Sequence, residues 1–304
     1  MRALKARRPE VLYFNGFFDP RFSIFPQLLW RVRFWGPTTR LLAPRGEFGE
    51  GALSRRSAKK RAFIALYRAL RLHRGLYWHA SSEVEAGDIR RLWGGDARIV
   101  IRQNETQLPV SALEPEPVGE TLRAVFLGRL VEHKGLHIAL AALADVPVPV
   151  ELDVYGPEED PAYVERCKTI ATALPDTIRV RFHGSVDPDH SRAALEGHEL
   201  LLMPTAGENF GHVIAEALSV SCAVMCTTRT PWTETLESGG GWALDRSQSA
   251  WEDALRRYAE LSTGERDASR TRAGEAYAEW RARPTQPHVL ELVRSEIIAE
   301  AGSR

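Results

Sequence analysis

Cysteine is scarce in this chain of 304 residues, which has three, Cys167, Cys222 and Cys226. No two form a C-x-x-C pair, and the last two flank the strand-like run Ala223-Val224-Met225. A disulfide framework and a thiolate metal site are both excluded, leaving buried reduced thiols. Long apolar runs are missing too, so no segment reads as a bilayer-spanning helix. Residues 1–8 are basic and have no apolar core, which predicts a cytoplasmic protein. An excess of one charge is absent overall, with 40 basic and 40 acidic residues. The balance hides an asymmetry. Residues 1–110 hold 21 Lys and Arg against 9 Asp and Glu, and the remainder 19 against 31. The basic half has no base-reading motif, so no nucleic acid is expected as a partner. His133 and His137 stand four apart as if on one helix, but neither a carboxylate nor a third histidine completes a zinc pattern.

What is present is an ordinary globular composition, 44% hydrophobic and 26% charged, at a length that favours two domains. Val11-Leu12-Tyr13-Phe14 reads as a strand, followed by a helix near residues 22–30 and a strand at Leu41-Leu42-Ala43. The glycine-rich loop Pro44-Arg45-Gly46-Glu47-Phe48-Gly49 comes next, then a long basic helix over 55–74 and a strand at Tyr77-Trp78-His79. Ser82-Glu83-Val84-Glu85 forms a capping box for a helix that closes at Gly94-Gly95, and Arg98-Ile99-Val100-Ile101 is a further strand. Residues 104–120, with Pro109, Pro115 and Pro117, read as an interdomain linker. Strands and helices then alternate again from Ala124 to Cys226, which predicts a parallel doubly wound α/β sheet. Ser249-Ala250-Trp251-Glu252 caps another helix, and the tail beyond Glu265 is helical with breaks at Pro284 and Pro287. The expected division is 1–110, 111–283, and a C-terminal helix over 284–304 that packs back toward the first domain.

The most informative stretch joins the apolar run Leu200-Leu201-Leu202-Met203 to a helix through Pro204-Thr205-Ala206-Gly207-Glu208-Asn209-Phe210-Gly211-His212. A strand, a glycine-bracketed loop and a helix present backbone N–H groups to an anion. Glu208 and Glu216 flank the turn at a spacing of eight. Carboxylates accept hydrogen bonds and repel phosphate, so their presence suits a ligand that carries hydroxyls beside its phosphate. Gly128-Arg129-Leu130-Val131-Glu132-His133-Lys134-Gly135 follows another strand, and offers a forked guanidinium and an ammonium for a diphosphate.

These two segments resemble the signatures of retaining glycosyltransferases with the GT-B fold, glycosyltransferase family 4. The Glu-x7-Glu motif is seen as Glu208 to Glu216, and the Gly-Arg-Leu…Lys-Gly motif as Gly128 to Gly135. The resemblance implies two Rossmann-type domains and transfer of a sugar from a nucleotide diphosphate sugar to a hydroxyl acceptor. Glycan or lipid-linked acceptors of polysaccharide or glycolipid biosynthesis in the cell envelope are the class implied. By the same resemblance Glu208, Arg129 and Lys134 carry the chemistry, with Glu208 on the donor sugar's hydroxyls and the two cations on the diphosphate. Gly128, Asn209, Phe210, Gly211, His212 and Glu216 bind the donor, Glu216 through the ribose. No metal and no cofactor is implied. Asp187-Pro188-Asp189 superficially matches the metal clamp of the other large glycosyltransferase fold, but reads as a helix start. Thr230-Pro231-Trp232 and Gly239-Gly240-Gly241-Trp242 also fit the family. Two readings of Trp232 stand, one facing the nucleotide base and one buried against the motif helix.

Phe17-Phe18-Asp19-Pro20-Arg21-Phe22-Ser23, Ala43-Pro44-Arg45-Gly46-Glu47-Phe48 and His79-Ala80-Ser81-Ser82-Glu83 are more loosely similar to the family's acceptor domain, which puts Arg45 and Glu47 on the acceptor side. Family members begin with further βα units and a glycine-rich loop, and none precedes Val11, so a shortened acceptor domain is expected. The basic first half and the aromatic segment 22–35 suit peripheral contact with an anionic inner membrane leaflet. An equally simple reading turns the basic helix toward the acidic second half. Two rival functions are a non-catalytic nucleotide-sugar-binding remnant and a nucleotide-sugar epimerase.

Overall fold

The computed structural model describes residues 9–21, 23–31, 39–49, 52–53, 57–284 and 286–302. Arg55 and Arg56 of the expected basic helix, Phe22, and residues 32–35 of the aromatic segment lie outside these. The chain forms two compact units, one of Met1–Glu105 with Thr285–Arg304 and one of Thr106–Pro284.

Among the described residues the first unit contains four parallel strands in sequential order: β1 (Val11–Asn15), β2 (Thr39–Ala43), β3 (Leu76–Ala80) and β4 (Arg98–Ile101). They are connected by α1 (Ile24–Arg31), α2 (Ser57–Ala69) and α3 (Glu83–Trp93). Side chains alternate across a strand, so Leu12, Phe14, Leu76 and Trp78 share one face. That face packs against Ile64, Tyr67, Ala86 and Ile89 of the helices. The other face carries Leu41, Tyr77 and Val100 and is covered by Val289 and Val293 of the last helix, α10 (Val289–Gly302), numbered in chain order. A parallel sheet left bare on one side would expose an apolar face, and α10 removes that liability. Ser82 caps α3 by accepting the Glu85 N–H, but Glu85 itself bonds Ser81 and the Gly46 amide rather than closing a reciprocal box.

The second unit holds β5 (Leu122–Leu127), β6 (Val150–Tyr155), β7 (Ile178–Gly184), β8 (Leu200–Met203), β9 (Ala223–Thr227) and β10 (Gly241–Leu244). All pair in parallel in the order β10-β9-β8-β5-β6-β7. Helices α4 (Leu136–Ala142), α5 (Pro161–Thr172), α6 (Ser191–Leu195), α7 (His212–Leu218), α8 (Gln248–Ala259) and α9 (Thr263–Ala282) complete it. The fully buried runs of β8 and β9 are what a sheet covered on both faces requires. The chain starts in the middle of the sheet at β5, proceeds outward through β6 and β7, then returns to β8 on the other side. The reversal lies between β5 and β8, and in such sheets ligands bind outside the carboxyl ends of the strands at that point.

Three local expectations are corrected. Residues 106–120 are no free linker. They are tied along the second unit because arginines need carbonyl acceptors: buried Arg270 bonds Glu116 O, buried Arg266 bonds Gly119 O, and half-buried Arg281 bonds Leu108 O. His133 and His137 do not share a helix, because Gly135 between them is left-handed (φ 80°) and separates a 3-10 turn from α4. The cap of α8 is Ser247 rather than Ser249. Asp187 does start a helical turn, accepting the Asp189 N–H with Pro188 in the first position.

Candidate functional site

The carboxyl ends of β5 and β8 each continue into a loop, and backbone contacts lock the two loops together. A Cβ on Gly135 would fall 2.1 Å from the Pro204 carbonyl oxygen, so only glycine allows this approach. Ala206 N–H donates to His133 O at 2.7 Å. Arg246, just beyond β10, donates from Nε to Pro204 O at 2.9 Å and from its terminal nitrogen to Glu132 O at 3.1 Å, joining both loops. Gly156, at the end of β6, meets the same rim, where a Cβ would stand 1.8 Å from Gly128 O.

On this frame Lys134 Nζ donates to Glu208 Oε1 at 2.5 Å, with side chains only 14% and 12% exposed. An ammonium and a carboxylate from segments 74 positions apart thus share one partly desolvated spot, where electrostatic effects exceed those in water. Arg129 is on the same rim but turned to Glu159 Oε2 at 3.1 Å, with 45% of its side chain exposed. The structure therefore pairs Lys134, not Arg129, with Glu208.

Within the β8–α7 loop, the Gly207 and Glu208 amides are used locally, on Thr205 Oγ1 and Arg229 O. Gly211 is left-handed (φ 80°), and a Cβ there would fall 3.0 Å from Ile214 Cδ1 and 3.4 Å from Trp232 Nε1. The Phe210 ring is buried and lies 4.6 Å from the His212 ring, while His212 is exposed at the loop's end. Trp232 is buried and donates from Nε1 to Phe210 O at 2.5 Å. Of the two readings of Trp232 the packing one holds, since its polar atom is spent on the loop backbone.

Glu216 lies in the second turn of α7, where Ile214, Ala215, Ala217 and Leu218 around it are buried. Its Oε2 is buried with no hydrogen-bond partner among the described residues. Burial pushes its carboxyl above the usual range, against opposing pulls from the Ser191 side chain and His212. An acid raised in the fold contributes stability that is complete below its unfolded value and lost as pH rises through the folded one. Glu216→Gln should therefore melt about 2–4 °C higher than the wild type at pH 7.5, the response to roughly 1 kcal/mol in a unit this size. The gap should close at pH 4. Scanning calorimetry at both pH values checks this, and a lower melting point for the variant at pH 7.5 contradicts it.

Arg45 and Glu47 stand on the loop after β2, in the first unit. Arg45 has a left-handed backbone (φ 54°) and donates to Asn15 Oδ1 at 2.9 Å, Asn104 Oδ1 at 2.5 Å and Tyr13 Oη at 2.9 Å. Glu47 Oε2 accepts the Phe17 and Phe18 amides, and burial pushes its carboxyl up. Glu47 is a clasp on the β1–α1 turn. Arg246 and Glu159 went unremarked in the sequence, since neither lies in a motif and only the fold brings them to the rim.

Residues 114–280 match the family described as Glycosyl transferases group 1. No curated protein matches. Among solved structures, HepE of Anabaena in complex with UDP and glucose is similar over 100% of this chain and 81% of that one, at 17% identity and TM-score 0.70. The sucrose-phosphate synthase of Thermosynechococcus elongatus is similar over 97% of this chain and 74% of that one, at 16% identity and TM-score 0.71. WaaG, a glycosyltransferase involved in lipopolysaccharide biosynthesis, is similar over 91% of this chain and 89% of that one, at 14% identity and TM-score 0.60. These likenesses concern the two-sheet α/β fold.

Proposed function

The chain belongs to the group 1 glycosyltransferases, and from that premise we propose that it moves a sugar, with retention of anomeric configuration and without a metal, from a nucleotide diphosphate sugar to a hydroxyl of an envelope glycan or glycolipid. The observation that supports this most directly is the Lys134–Glu208 pair at the β5/β8 switch point. The bond from C1 to the diphosphate breaks with its electron pair on the phosphate oxygen. The acceptor oxygen bonds to C1 from the same face and gives its proton to the departing diphosphate. Negative charge thus builds on the leaving group while the sugar gains oxocarbenium character.

In this reading Lys134 offsets the first, and Arg129 leaves its exposed pair with Glu159 to assist. Glu208 receives the sugar's hydroxyls, and Glu216 receives the ribose. HepE was solved with UDP and glucose, which makes UDP-glucose the first donor to test.

Slow donor hydrolysis by the full chain provides a test that needs no acceptor. With α-linked UDP-, GDP-, ADP- and dTDP-sugars followed by proton NMR, the α-anomer of the free sugar should appear first, at the same rate with a chelator present. Appearance of the β-anomer first would sink retention. An isomerised donor without release would make the protein an epimerase instead. Binding without any turnover, with glycan acceptors added, would leave only a nucleotide-sugar binder.

A further inference from the structure

Helices α1 and α2 of the first unit lie side by side. Gln27 Nε2 donates to Tyr67 Oη at 2.5 Å, and the Arg31 guanidinium donates to Leu70 O. Leu28 and Leu66 each adjoin a residue of the buried Gln27–Tyr67 bond, yet they are 36% and 49% exposed. Phe25, one turn before Leu28 on the same stripe of α1, is 54% exposed. Ala58, Ala62, Ala65 and Ala69 are exposed along α2 beside Leu66, so its outer side is mostly methyl groups. Large apolar side chains exposed singly are ordinary, but here three come to one surface.

The charge on this face has one sign. Lys59 and Arg61 on α2 and Arg71 in the turn after it are exposed. No acid occurs from residue 57 to residue 82, and none of these three cations forms an ion pair among the described residues. Other helices neutralise their own cations. Arg90 and Arg91 of α3 meet Glu83 and Asp88, while Arg166 and Lys168 of α5 meet Glu132 and Glu158. Unpaired cations bordering projecting aliphatic and aromatic side chains complement an anionic bilayer surface. An acidic partner without an acyl layer would answer the cations and leave Phe25, Leu28 and Leu66 in water. No helix among the described residues is long and apolar enough to cross a membrane, so the contact is a lateral one.

We propose that the α1–α2 face lies on an anionic lipid surface. Phe25, Leu28 and Leu66 enter the boundary between headgroups and acyl chains, and Lys59, Arg61 and Arg71 sit over the headgroups. The inference stands on the surface of the first unit alone and does not depend on donor binding in the second.

Co-sedimentation of the full chain with phosphatidylcholine vesicles, with and without about a third phosphatidylglycerol, at low and at physiological salt, tests it. Binding to the anionic vesicles should be at least about tenfold tighter than to the neutral ones, and weaker at the higher salt. The double variant Lys59→Gln, Arg61→Gln should weaken it about tenfold and flatten the salt dependence. The double variant Phe25→Ser, Leu66→Ser should weaken it about fivefold and leave the salt dependence in place. As a control, Arg179→Gln with Arg257→Gln removes two exposed cations of the second unit and should change binding by less than about twofold. All three double variants should keep the wild-type melting point, since every position is exposed. The proposal is overturned by no binding to anionic vesicles, by equal binding to neutral ones, by indifference to either first-unit variant, or by an equal loss in the control. Tighter binding to polyglutamate or duplex DNA than to the vesicles would assign the face to a soluble acidic partner and overturn it as well. No donor is present in these measurements, so their failure leaves the transfer reading untouched.

Discussion

Glu208→Gln should lower kcat by about 10²–10³, the usual loss when one preorganised electrostatic partner of a transition state is removed. Donor affinity, read by titration, should change far less. In the ground state the amide can still accept from sugar hydroxyls and from Lys134 Nζ, which now donates to Glu208 Oε1 at 2.5 Å. What it cannot do is answer the positive charge that grows on the sugar ring as the diphosphate departs. An interaction made only in the transition state lowers kcat and kcat/KM together, so the split between rate and affinity is the diagnostic result. The variant's backbone should be undisturbed, because the Glu208 amide is fixed on Arg229 O and the loop is fastened by Ala206, Gly135 and Arg246. An unchanged rate would remove Glu208 from the chemistry. A loss confined to donor affinity would make it a ground-state binder.

The elements carrying this site were legible because the second unit obeys local rules without conflict. Leu200–Met203 is an apolar run bounded by loops, and glycines fall where the chain must turn or approach closely. The motif residues Lys134 and Glu208 could be read as partners only through a family likeness, since no periodicity connects positions 74 apart. The fold supplies the connection by placing β5 beside β8. Arg246 could not have been found this way. Its work is done on backbone carbonyls, which every residue has, so its target leaves no mark in the sequence. Charged residues are usually exposed, and a helix as polar as α9 reads as a surface element. Arg266 and Arg270 within it are nevertheless buried and turned to the segment before β5.

Those arginines give the largest stability effect expected in the chain. Glu199, 1% exposed and directly preceding β8, accepts Arg266 at 2.9 Å and the Arg123 amide at 3.1 Å. Arg266, 3% exposed, also donates to Gly119 O at 2.6 Å. Burial pushes the Glu199 carboxyl up despite the Arg123 amide and the two guanidinium groups, so its charge is held at a cost. Its contribution is to give a sealed-in cation an acceptor. Glu199→Ala leaves Arg266 without that acceptor and should cost about 3–5 kcal/mol, as breaking a buried pair does, lowering the melting point by about 6–20 °C. Glu199→Gln keeps an oxygen acceptor in the same place and should cost less than half as much. Scanning calorimetry of both variants at pH 7.5 decides the matter. Equal losses would mean that the carboxylate's charge, not the geometry of its oxygens, holds Arg266. A negligible loss for alanine would mean that Arg266 is satisfied by Gly119 and Glu120 alone. Because β8 ends in the loop that carries Glu208, loss at this anchor should also appear as slower turnover well below the melting point.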